Sequence, residues 1–316
     1  MLARLQRRLV LGTVLAVLLW VLSFASAGRW GWALAGLVLG LTGHALVLGW
    51  EFVCVALVHG DDPAPRARAA QLLRAWWGEV LVAPQVFAWR QPFRAQAWPD
   101  ADGPAPGRRG IVFVHGFVCN RAFWNPWFEK LQPLGVPYAS VNLEPVFGAI
   151  DDYPPQVEEA VRRMELATGV PPLVVCHSMG GLAVRAWLRW QAAAGGSDER
   201  VHHVLTLGTP HHGTWLARWA FSHNGRQMAP ANAWLKELAS SERPERRQRF
   251  TCLYSHCDNI VFPASTAVLN GARAQHIEGV AHVEMAFVPQ AWQAAMDLLA
   301  QEAPASRVKA AAAQPA

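Results

Sequence analysis

A serine hydroxyl opens an acyl bond only when a base takes its proton and a carboxylate orients that base. Three residues of this chain follow one another in an order that such a site uses: Ser178, Asp258 and His282. Ser178 lies in Cys176-His177-Ser178-Met179-Gly180-Gly181, where an apolar run ends and a helical pattern begins. Small residues two before and two after the serine permit the tight strand-to-helix turn that lifts a hydroxyl above a sheet. Cys176 stands where glycine is usual. Asp258 and His282 both fall in loops after apolar runs. The oxygen that turns negative on attack needs backbone N–H donors. Met179, the residue after the nucleophile, offers one. Phe117 in His115-Gly116-Phe117 offers the second, aimed by the turn that Gly116 allows.

Other residues compete for these roles. His276 falls inside the expected last strand, and Glu144, Asp151 and Asp152 precede the serine. His115 and His177 read as braces for the oxyanion loop and the nucleophile turn. His211 and His212 would need further ligands to hold a metal, and no carboxylate cluster stands at ligand spacing. The chemistry calls for no cofactor and no metal.

These residues need a scaffold of strands that end at one edge. Apolar strand patterns occur at Ile111–Val114, Tyr138–Leu143, Leu173–Cys176, Val201–Leu207, Phe250–Tyr254 and Gln275–Glu278. Helical patterns occur at Ala67–Leu81, Arg121–Leu131, Pro155–Ala167, Met179–Ala193 and Pro289–Ala300. Such alternation predicts an α/β fold, a mainly parallel sheet with helices on both faces. The Trp-rich stretch 211–248 interrupts it and is expected to form a helical lid over an apolar pocket.

The first sixty residues differ in kind. Leu9 to Ala27 is apolar and uncharged, long enough to cross a bilayer. Trp32 to Trp50, continuing past Glu51 to Val58, is a second such run. Gly28-Arg29-Trp30-Gly31 suits a turn, and Trp30, Trp32 and Trp50 suit an interface. Gly36 and Gly40 form a G-x-x-x-G pair that permits close helix packing, and His44 is expected to bond within the hairpin. A cleaved signal peptide is the rival reading, with Arg4, Arg7 and Arg8 in front and Ala25-Ser26-Ala27 as the cleavage site. For a retained hairpin, the basic residues (Arg4, Arg7, Arg8, then Arg66, Arg68, Arg74, against Arg29 in the turn) put both ends in the cytoplasm.

The 316 residues are 52% hydrophobic and 16% charged, with net charge +5. No basic run interleaves with aromatics, so nucleic acid is not an expected partner. Five cysteines without regular spacing read as free thiols. The resulting division is a membrane hairpin at 1–60, a linker and first elements at 61–109, a catalytic domain at 110–302 and a disordered tail at 303–316.

Taken together, Val114-His115-Gly116-Phe117, Cys176 to Gly181, Leu207-Gly208-Thr209-Pro210-His211-His212-Gly213-Thr214, Asp258 with Ile260-Val261, and His282 resemble the α/β-hydrolase superfamily. Within it they are similar to bacterial triacylglycerol lipases and esterases. The resemblance covers roughly residues 110 to 300 and not the hairpin. It implies an α/β-hydrolase fold and a lipase- or esterase-like serine hydrolase acting on acyl esters or lipids. With the hairpin, that enzyme would sit among membrane lipids at the inner membrane of a bacterium. Acyl transfer, thioester cleavage and a non-catalytic scaffold are the alternatives. A periplasmic form follows if the segment is cleaved.

Overall fold

Two short strands with every side chain buried, β1 (Ile111–Val114) and β3 (Leu173–His177), pair in the interior of a sheet. Burial on both faces is what a central parallel strand requires, and it explains their unbroken apolar character. In the computed structural model, which describes residues 1–301, six strands pair in the order β2-β1-β3-β4-β5-β6. They are completed by β2 (Tyr138–Ser140), β4 (His203–Leu207), β5 (Phe250–Tyr254) and β6 (Arg273–His276). Every pairing is parallel. The expected tail 303–316 lies outside the described residues.

Side chains alternate between two cores, as the strand period dictates. Val112, Val114, Val174, Cys176 and Val204 face one core, with Val157, Val161, Leu182 and Trp187. Those four belong to α6 (Pro154–Thr168) and α7 (Met179–Ala193). Ile111, Phe113, Leu173, Val175 and Leu205 face the other, with Trp127 and Phe128 of α5 (Asn125–Leu131) and with Ala291 and Ala295. The chain leaves β1 toward β2 on one side and returns to β3 on the other. The carboxyl ends of β1 and β3 therefore flank a topological switch point, where open α/β sheets place their sites.

Four expected strands shift at their ends, and β3 runs one residue further than expected, to His177. β2 stops at Ser140: the Val141 N–H still pairs with the Phe113 carbonyl (3.1 Å), but the Leu143 N–H turns to His115 Nε2 (3.1 Å). β4 begins at His203, and β6 begins and ends two residues before the expected run, in register with Thr251 to Tyr254.

The apolar runs form two long helices, α1 (Leu2–Ser26) and α2 (Trp30–Leu57), each long and apolar enough to cross a membrane. Gly36 lies against Trp20 and Gly40 against Val17, so the G-x-x-x-G pair serves close packing between the two helices. Trp20 Nε1 donates to the Trp32 carbonyl (2.9 Å) and joins the two helices next to their turn. Leu15, Leu18, Leu22, Leu34 and Leu39 are exposed along the outer faces.

The helix expected over Ala67–Leu81 is longer: α3 (Ala69–Pro84) runs on through a π-helical segment, Gln85–Arg90, into α4 (Gln91–Phe93). Pro84 has no N–H to give to the Val80 carbonyl. His44 of α2 approaches that carbonyl instead, with Nε2 at 3.1 Å. The histidine in the apolar run thus bonds outside the hairpin, not within it as expected, and satisfies an acceptor that proline orphans.

The hairpin is also docked at its base. Gln6 is buried and donates to Gln91 Oε1 (3.0 Å) and the Val118 carbonyl (3.3 Å). Phe52 packs with Cys257 and Ala281, while Cys54 and Val55 pack with Phe262. All five cysteines are free.

Candidate active site

Ser178 ends β3 and starts α7 with φ +55° and ψ −131°. A non-glycine residue pays strain energy at positive φ, so the surroundings must enforce it. Two close approaches do so. A Cβ on Gly180 would collide with the Val114 carbonyl oxygen, and one on Gly116 would come within 2.8 Å of Ser178 Cβ. Both glycines let the end of β1 and its loop press against the turn. Cys176 is fully buried beneath it. The Thr209 hydroxyl donates to the Ser178 carbonyl (2.8 Å) and ties the turn to the end of β4. Thr209 belongs to the Leu207 to Thr214 piece that carries the resemblance, and this bond gives it a structural role.

Asp258 and His282 meet after β5 and β6. His282 Nδ1 and Asp258 Oδ2 are 2.9 Å apart, and both residues are buried. Asp258 Oδ1 accepts from the Ile260 and Val261 amides (2.9 and 2.8 Å). The carboxylate is therefore fixed from both oxygens. Its acceptor role assigns the proton to His282 Nδ1 and leaves Nε2 as the free base. Burial opposes charge on the His282 ring, but the Asp258 carboxylate outweighs it through charge and hydrogen bond, helped by Glu79 and Glu51. The net result is a proton affinity above that of ordinary imidazole.

Two flanking histidines stay neutral. Burial pushes His115 down to about 4. Its Nε2 accepts from the Leu143 N–H, so its Nδ1–H donates to the Gly116 carbonyl (2.9 Å) and braces the oxyanion loop. Burial, followed by the charge of His282, holds His177 well below the usual imidazole range. Its Nε2 donates to the His282 carbonyl (3.0 Å), linking the turn to the histidine loop. Among the described residues, the Phe117 and Met179 amides have no hydrogen-bond acceptor.

The histidine loop is further held by two carboxylates from the N-terminal helices. Glu79 of α3 accepts from the Val283 N–H (3.0 and 3.2 Å) and the Glu284 N–H (3.0 Å). Burial pushes it up to about 7, against the Val283 and Glu284 amides and the charge of His282. Glu51 of α2 accepts from Asn259 Nδ2 (2.6 Å), and Asn259 Oδ1 accepts from the His282 N–H (3.1 Å). The order and spacing of the candidate triad assign neither acid a role. Their signal was there: each is a lone carboxylate inside a long apolar stretch, a position that demands a partner.

Ser178, His282, Gly116 and Phe117 line one cavity of about 730 Å³. No residue of 211–248, the expected lid, lines it. That stretch packs elsewhere: Asn224 donates to the Val146 carbonyl (2.8 Å), Trp234 Nε1 to Asp151 (2.7 Å), and Trp215 packs on Phe262. The cavity's opposite side comes from the hairpin and the segment Glu79–Ala88.

The competing residues lie elsewhere. His276 pairs with His256 (2.7 Å), and Asp151 with Arg189 (2.6 Å). His211 is buried beside Arg185, which donates to its carbonyl (3.0 Å) and is itself paired with Glu242 (2.6 Å). No group of three or more His, Cys, Asp or Glu residues stands at metal-holding distances among the described residues.

No family model and no curated protein matches this chain. Solved structures do. The mature form of Bacillus licheniformis lipase BlEst2 matches at a TM-score of 0.54 and 22% identity, covering 62% of this chain and 94% of that one. Aspergillus fumigatus lipase B matches at 0.54 and 18% identity, over 63% of this chain and 54% of that one. With the all-parallel sheet and the turn after its third strand, they establish that this chain has the α/β-hydrolase fold.

Proposed function

We propose that this chain is a serine hydrolase of carboxylic esters that works at a membrane on acyl esters. One observation carries the reading: a fixed Asp258–His282 pair opens onto the same cavity as a serine held at positive φ. His282 Nε2 takes the hydroxyl proton as Ser178 Oγ attacks the ester carbonyl. The oxyanion meets the unengaged Phe117 and Met179 amides. The alcohol leaves with the proton from His282. Water, deprotonated by the same nitrogen, then releases the acid from the acyl-enzyme. Lipase structures of the same fold support ester chemistry.

The hairpin is read as a retained anchor that crosses a bacterial inner membrane, with the catalytic domain in the cytoplasm. The exposed leucines of α1 and α2 need an apolar surround, and the arginines gather at the two ends. Labelling of membranes with a fluorophosphonate, beside Ser178→Ala and with intact mass read on the same samples, tests both parts. The expected result is one label on the wild type, none on the variant, and a mass that keeps the hairpin. Absence of label on folded wild type would reject the enzyme, and loss of the first residues would reject the anchor.

A further inference from the structure

The hairpin does more than stand beside the cavity. Gly40, Leu41, His44, Val47, Leu48 and Glu51 follow the spacing of one helical face, and all six line the cavity that holds Ser178. Val10 of α1 adds to that side, while Phe87 and Ala88 close the other. The polar groups of this wall are already engaged. His44 is bonded to the Val80 carbonyl, Glu51 to Asn259 and Glu79 to two amides. What remains toward the cavity is apolar.

The same wall reaches the outer surface. Leu41 is 67% exposed and Val47 is 63% exposed although both line the cavity, so it opens sideways between α2 and the catalytic domain. Leu73, Trp77 and Leu81 form an exposed apolar stripe on α3, and Trp89 extends it. From Trp30 to Gly40 the helix rises about 15 Å at ~1.5 Å per residue. That is roughly half of a ~30 Å hydrocarbon core. With the hairpin turn at the far surface, the Gly40 end of the cavity lies at the depth of lipid tails.

We infer that α2 is one wall of an acyl-chain site, and that an ester lipid enters it sideways from the bilayer. The chain lies along Gly40 to Leu48 and brings its carbonyl to Ser178. This rests on the ester-hydrolase reading and adds the substrate class: long-chain acyl esters resident in the membrane. The hairpin selects the chain as well as anchoring the enzyme.

The test uses full-length protein in phospholipid vesicles, with p-nitrophenyl butyrate and palmitate and fluorophosphonates of short and long alkyl chain as probes. Leu48→Trp on α2 and Val10→Trp on α1 narrow the cavity from two sides. Leu34→Trp is the control, since Leu34 is exposed on α2 and does not line the cavity. The long-to-short ratio of kcat/KM is expected to fall about tenfold or more in both narrowing variants. In the control it stays at the wild-type value. The ratio of fluorophosphonate labelling rates reports the same selectivity if turnover is too low to follow. Labelled variants with an unchanged ratio would overturn the hairpin wall while leaving the hydrolase intact. Palmitate cleaved equally well from detergent-free solution and from vesicles would overturn entry from the bilayer. Wild type with no label at Ser178 would overturn the hydrolase reading and this one with it.

Discussion

The serine and the histidine of this site are held in different ways. Ser178 is placed by the sheet itself: β3 ends, the backbone turns to φ +55°, and glycines at 116 and 180 let β1 close on it. His282 sits on a loop after an edge strand, and side chains from far along the chain hold that loop. Glu79 and Glu51 reach it from the N-terminal helices, and His177 reaches it from the turn. The nucleophile half is thus a product of local backbone geometry. The base half depends on the very segment that also forms the hairpin and its adjoining helix.

Four substitutions separate the halves, in falling order of expected effect. Ser178→Ala removes the nucleophile and should lower kcat by about 10⁴-fold or more, with folding unchanged by circular dichroism. Asp258→Asn should cost on the order of 10⁴-fold in kcat, because an amide does not enforce the Nδ1–H tautomer. It should also move the acid limb of the kcat/KM profile to lower pH, since Asp258 is what raises His282. Glu79→Gln should lower kcat/KM by about tenfold to a hundredfold through a misplaced histidine loop. The sign of its pH effect is set: where Glu79, held up at about 7, is ionised, it adds negative charge near His282, so its loss lowers the histidine's proton affinity and shifts the limb to lower pH. Asn259→Ala, which cuts the link from Glu51 to the His282 N–H, should cost a smaller factor of about tenfold or less, read by the same kinetics. Equal damage from Glu79→Gln and from a surface change such as Leu166→Ala would erase the distinction between the halves.

The sequence carries the serine half well because that half is local. An apolar strand, small residues around the serine and a following helix all sit within a few positions of Ser178. Asp258 and His282 are legible because their order and loop positions are constrained by the strand pattern. The roof of the cavity is a different matter. The Trp-rich stretch 211–248 reads as a lid by composition, yet Asn224 and Trp234 tie it toward the 144–153 loop. The wall that stands over Ser178 instead comes from α2, a run that periodicity alone assigns only to lipid. Its contact with the site is a matter of tertiary docking, and Gln6, Glu51 and Glu79 are its traces. A carboxylate or amide in an apolar run signals a partner without naming it. His44 shows the same limit: the sequence contains both His44 and Pro84, but only the fold brings the donor to the Val80 carbonyl.

The most direct measurement is the rate of fluorophosphonate labelling as a function of pH for wild type, Ser178→Ala and Glu79→Gln in membranes. The account predicts no label on Ser178→Ala and a wild-type rate that rises with pH through a midpoint above the ordinary imidazole value. It also predicts slower labelling of Glu79→Gln, with the midpoint moved toward acid. Labelling that survives in Ser178→Ala, or a Glu79→Gln profile that overlays the wild type, would contradict it.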